Sequence, residues 1–125
     1  MTTDKHRLGL ENLMKIDGVA AQTVVDSLGD IAPGLVDYMI ECVFGTIYAR
    51  EGLSFREREI VTLSSMLSQG DTHPQLIVHI HAALNVGLTK EEIIEVFIQC
   101  VPFVGLPKVL NAITTAREVF ESRPV

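Results

Sequence analysis

No cluster of lysine and arginine occurs anywhere in this chain of 125 residues, and ten basic residues stand against sixteen acidic ones. A protein that grips nucleic-acid phosphates needs a basic face to displace their counterions, so nucleic-acid binding is not expected. Nor is there an uninterrupted apolar run of the ~18 to 20 residues that a membrane span needs. The first residues, Met1 to Arg7, are polar and lead into no signal-peptide apolar region. Only two cysteines are present, Cys42 and Cys100, far apart and outside any CxxC pattern. They read as buried, reduced thiols of a cytoplasmic protein that does not enter membranes.

Chemical signatures are scarce as well. The sequence contains no HExxH and no Cys/His set of metal-ligand spacing. His79 and His81 lie two apart, which on a helix points them roughly 200° from each other, so they cannot readily share an ion. No metal is expected. A glycine-rich phosphate loop, a GxSxG elbow and a dinucleotide fingerprint are all missing, and no cofactor is expected.

What is present is apolar and helical. Hydrophobic residues make up 47% of the chain and charged residues 21%, with a mean hydropathy of +0.30 and an isoelectric point near 5.1. That length fits a single domain spanning residues 1–125, with a real core. A small domain this apolar has more greasy surface than one core hides, so self-association is expected.

Apolar residues recur at helical spacing throughout, and no convincing period-two segment competes. Helices are predicted over about residues 5–16 and 19–28, with Asp30 capping a third that runs to about Tyr48 and carries Pro33 in its first turn. Ser54 and Glu57 fit a capping box for a helix ending at Gln69-Gly70-Asp71. Another runs from His73-Pro74 towards Gly87. Thr89 and Glu92 form a second capping box. Pro102 should bend or end that helix, and Pro107 suits the first turn of the last one.

Ionisable and polar side chains concentrate between Arg50 and Asn85. Arg56 and Glu57 suit a solvated first turn. Glu59, beside Ile60 and Val61, is a candidate for a carboxylate turned inward, with a surface ion pair as the alternative. His79 lies mid-helix in the apolar stretch Leu76 to Ile80, followed by the small residues Ala82 and Ala83. With an ordinary pKa of about 6.5 it suits general acid/base work; the alternative is a core histidine satisfied by one carbonyl or carboxylate. Cysteine nucleophilic catalysis needs a stabilised thiolate. Cys42 sits in the apolar stretch Met39 to Phe44 and Cys100 near a helix C-terminus, so both read as packing residues.

Three blocks in order resemble the carboxymuconolactone decarboxylase family: Phe44 to Leu53 followed by Arg56 to Glu59; His79 to Thr89 followed by Glu91-Glu92-Ile93; and Phe103-Val104-Gly105-Leu106-Pro107. The resemblance implies an all-α, alkylhydroperoxidase-D-like domain of about six to seven helices, assembled as a homo-oligomer, usually a trimer or hexamer. It also implies cofactor-free decarboxylation of 4-carboxymuconolactone or a related small carboxylate. His79 matches the family's helix histidine and is the expected acid/base; Glu59, the candidate inward carboxylate, is expected as a second catalytic residue. Arg50 or Arg58 suits a substrate carboxylate, because guanidinium recognises carboxylates bidentately. His81 and Phe103 stand where the family typically shows arginine and tyrosine, and they are placed at the substrate on that ground. Glu59 resembles instead the glutamate of the alkylhydroperoxidase-D-like relatives, which use it with a histidine and a CxxC pair, but no cysteines fall near Thr72 and Gln75. A peroxidase and a non-catalytic oligomeric binding protein stay as alternatives.

Overall fold

The computed structural model describes residues 3–123. Among them there are helices, turns and no strand, as the apolar spacing predicts. The chain divides into two compact units, Met1–Phe55 and Arg56–Val125.

In the first unit, α1 (Asp4–Asp17) opens with Thr3, whose hydroxyl accepts from the His6 N–H, and closes at Gly18 in a positive-φ conformation. A hydroxyl cap of this kind satisfies one of the helix's orphan donors. Next come α2 (Ala20–Leu28) and α3 (Pro33–Tyr38). The residue before Pro33 in the cap position is Ala32, without a side-chain bond. Asp30 therefore does not cap this helix as expected. The helix begins two residues later than Asp30 could cap, with proline at its first position, where no N–H needs a partner.

From α3 the chain passes without a break into a π-helix, Met39–Ile47. The i→i+5 bonding is seen in the Tyr48 N–H, which donates to the Val43 carbonyl at 2.8 Å. The apolar spacing gave no notice of this widening, because both helix types bury one stripe. That stripe is Ile40, Phe44 and Tyr48, with the Phe44 and Tyr48 rings stacked at 4.9 Å. Cys42 lies off it and is exposed, which corrects the expectation of a buried thiol. It is two residues from both Ile40 and Phe44, and so falls on the opposite side of the helix from the buried stripe.

α1 packs closely on the π-helix. A methyl group at Gly9 would collide with the Ile40 carbonyl, and one at Gly45 with the Lys5 carbonyl. The backbones approach so closely because these two residues have no side chain. Beside the crossing, buried Asn12 donates from Nδ2 to the Phe44 carbonyl at 2.8 Å. It satisfies an acceptor near the helix end that would otherwise be buried unpaired.

The second unit holds α4 (Phe55–Gln69, starting at the last residue of the first unit), α5 (His73–Asn85), α6 (Lys90–Gln99), α7 (Val101–Val104) and α8 (Leu106–Ser122). Its core is one cluster that includes Leu63, Leu76, Ile80, Ile93, Phe97, Val109 and Ala116. The alanines Ala82, Ala83, Ala112 and Ala116 are fully or almost fully buried, so the small residues are spent on close helix packing. The predicted Thr89–Glu92 capping box is present in full. Pro102 falls in the first turn of α7, after α6 has ended. Positive φ at Gly70, Gly87 and Gly105 marks the breaks around α5 and before α8. With the two uninterrupted or nearly uninterrupted pairs joined, the described residues form seven helical rods, the all-α, alkylhydroperoxidase-D-like arrangement.

Candidate active site

Glu59 sits one turn into α4 with none of its surface exposed. An isolated carboxylate in such a place would cost several kcal/mol. Its partner is His79, from the middle of α5, whose Nδ1 lies 3.0 Å from Glu59 Oε2. The imidazole keeps 16% of its side-chain surface open while the carboxylate keeps none. A carboxylate can only accept, so the proton of this bond sits on the histidine Nδ1. That fixes the tautomer and directs Nε2 away from Glu59. Two residues 20 apart in sequence thus form one buried, hydrogen-bonded acid/base pair within a single unit. Glu59 takes the inward orientation rather than the surface ion pair.

The other predicted residues come from several different elements. Arg58, half-buried on α4, directly precedes Glu59 and so points about 100° away from it. Arg50 belongs to the first unit, where it is exposed at a cleft of about 380 Å³ also lined by Leu8, Asn12, Tyr48 and Phe55. Phe103, on α7, is 81% exposed. His81 is half-buried and faces the end of α8: Arg123 Nη1 donates to the His81 carbonyl at 3.2 Å and lies 3.4 Å from its Nδ1. Burial, and then the Arg123 guanidinium, hold the His81 pKa below its ordinary 6.5.

Sequence reading missed Arg123, which is 42 residues from its partner, and it missed the surroundings of His73. The His73 ring meets Thr115 Oγ1 at 2.9 Å through Nδ1 and Glu118 Oε2 at 3.5 Å through Nε2. No periodicity announces contacts across such separations. Cys100 donates from Sγ to the Val96 carbonyl at 3.4 Å, one turn back in its own helix. Among the described residues no three His, Cys, Asp or Glu side chains group closely enough to hold a metal ion, and no helix is long and apolar enough to cross a membrane.

The described residues thus form an all-helical scaffold in which a glutamate is buried against a histidine that stays partly open. The profile of the carboxymuconolactone decarboxylase family matches residues 33–118, and the chain belongs to that family. It is similar to the 4-carboxymuconolactone decarboxylase of Acinetobacter baylyi, with 28% identity over 118 residues that cover 94% of this chain and 87% of that protein. An uncharacterized 15.0 kDa protein from the nqo9-nqo10 intergenic region of Paracoccus denitrificans is 35% identical over 91 residues, 72% of this chain and 68% of its own. The nitrosuccinic acid decarboxylase npaB of Metarhizium robertsii is 27% identical over 82 residues, 66% of this chain and 57% of its own.

Proposed function

We propose that this protein is a cofactor-free carboxy-lyase acting on a small carboxylated lactone or a related acid, with His79 as general acid/base and Glu59 as the residue that orients it. The buried Glu59–His79 hydrogen bond of 3.0 Å carries the reading. Two relatives named as decarboxylases of small acids support it.

Decarboxylation breaks the carbon–carbon bond to the carboxylate and releases CO2. The electron pair left behind needs an acceptor, which in an unsaturated lactone is the conjugated carbonyl. A proton must then reach carbon. Protonated His79 donates it from Nε2 while Glu59 holds Nδ1–H and balances the charge of the imidazolium. The ring regains its proton from water.

On this reading Arg50 or Arg58 holds a substrate carboxylate, and His81 and Phe103 contact the substrate. The whole chain works as one domain in a cytoplasmic homo-oligomer, a trimer or hexamer.

The test is CO2 release from 4-carboxymuconolactone, compared between the native protein and His79→Asn. The asparagine amide can still donate to Glu59, so the buried carboxylate stays partnered while the titratable ring is gone. Loss of a general acid is expected to lower kcat about 10²- to 10⁴-fold. An unchanged rate in a folded variant overturns the role of His79. No release by the native protein overturns this substrate.

A further inference from the structure

We propose that the second unit carries a binding site for a small zwitterion, an α-amino acid with an apolar side chain, in the cavity between the α4–α5 turn and α8. This goes beyond the decarboxylase reading, since neither Glu59 nor His79 lines this cavity. Its volume is about 490 Å³, within the range of small-molecule sites. The floor is apolar, formed by Leu67, Leu76 and Ala112.

Two opposite charges stand at its mouth, Lys108 and Asp71, and among the described residues neither makes an ion pair with the other or with a third group. The backbone sets where Asp71 starts, and a main-chain carbonyl anchors Lys108. Gly70 and Asp71 take φ of +73° and +53° in succession, a left-handed reversal between α4 and α5 that is uncommon for a residue with a side chain. A methyl group at Gly70 would come into ordinary contact with the Lys108 stem, so that stem passes beside the turn. Its Nζ donates to the Ser68 carbonyl at 2.9 Å, near the C-terminal end of α4, where the helix dipole favours a cation. That ammonium has two further donors to offer.

The remaining ionisable groups are already engaged with each other. The Thr115 hydroxyl donates to the Asn111 carbonyl at 3.0 Å, so its oxygen accepts from His73 Nδ1, and Glu118 faces the other ring nitrogen. One anchored cation and one carboxylate are left beside an apolar floor. A ligand carboxylate fits Lys108, a ligand ammonium fits Asp71, and an aliphatic side chain fits the space above Leu67 and Leu76.

Isothermal titration of the full-length protein with L-leucine tests this, with 4-methylpentanoate and 3-methylbutylamine as analogues that each keep one charge. Leucine is expected to bind, and each analogue about tenfold or more weakly, the loss of one charge-assisted contact. Asp71→Asn, chosen because asparagine also accepts positive φ, is expected to weaken leucine binding by a similar factor while leaving 4-methylpentanoate unchanged. Lys108→Met should do the reverse, sparing 3-methylbutylamine. Absence of leucine binding at millimolar concentration overturns the proposal. So does leucine binding that both variants leave intact, which would place the ligand elsewhere. Circular dichroism melts of the variants show that each is folded before titration.

Discussion

A carboxylate without solvent contact persists in a folded protein only when something answers its charge, and Glu59 is answered by His79. Replacing Glu59 with glutamine keeps a hydrogen-bond acceptor of the same shape and removes the charge that would stabilise an imidazolium. The expected result is a folded protein whose decarboxylase rate falls at least about tenfold, read by CO2 release beside thermal melts. His81 titrates in the opposite sense to a salt-bridged histidine. Its pKa is lowered in the folded state by burial and by Arg123, so below 6.5 the unfolded chain binds more protons than the native one. Stability is therefore intact above that pH and declines as pH falls towards the lower folded value. Melts at pH 7.5 and pH 5 should show a smaller acid-induced drop for His81→Gln than for the native protein; equal drops would refute the assignment. The candidate residues were legible because a histidine and a glutamate are conspicuous among apolar neighbours. Their pairing was not, since either could have met water or a backbone carbonyl.

Elements in this chain are held by local signals at their ends and by close approach in their middles. The Thr89–Glu92 box is reciprocal, and Thr89→Ala should cost about 1 kcal/mol, measurable by urea denaturation. The α1 crossing with the π-helix is less forgiving. A Cβ at Gly9 or Gly45 would run into main-chain carbonyls rather than movable side chains. Gly9→Ala should accordingly destabilise the protein by about 1–3 kcal/mol, the range for overpacked positions, whereas Gly52→Ala, with open space around it, should cost little. Equal melting temperatures for the two variants would contradict the crossing. Helix positions and most boundaries followed from apolar spacing, caps, glycine and proline, which act within a few residues. The π-helix did not, because its widening leaves the buried stripe of Ile40, Phe44 and Tyr48 recognisable.

Across the whole molecule, the apolar excess appears as exposed large side chains, among them Val19, Ile31 and Leu35 in the first unit and Phe103, Leu106 and Leu110 in the second. Scattered apolar residues are ordinary on a surface, but a small protein with so many has reason to associate. Sedimentation at micromolar concentration should give a mass of three or six times 13.7 kDa; a monomer would end the oligomer proposal. Phe103→Ser should weaken association if that ring is covered by another copy. The all-α class, the order of the helices and the family were determined by the sequence itself, since periodicity, capping and motif order are properties of neighbouring residues. Only the tertiary structure decided that Glu59 meets His79, that Arg123 reaches His81 and that Asp71 and Lys108 share one cavity. Contacts between residues 20 to 42 positions apart depend on where packing against a common core brings the helices, and no local pattern encodes that.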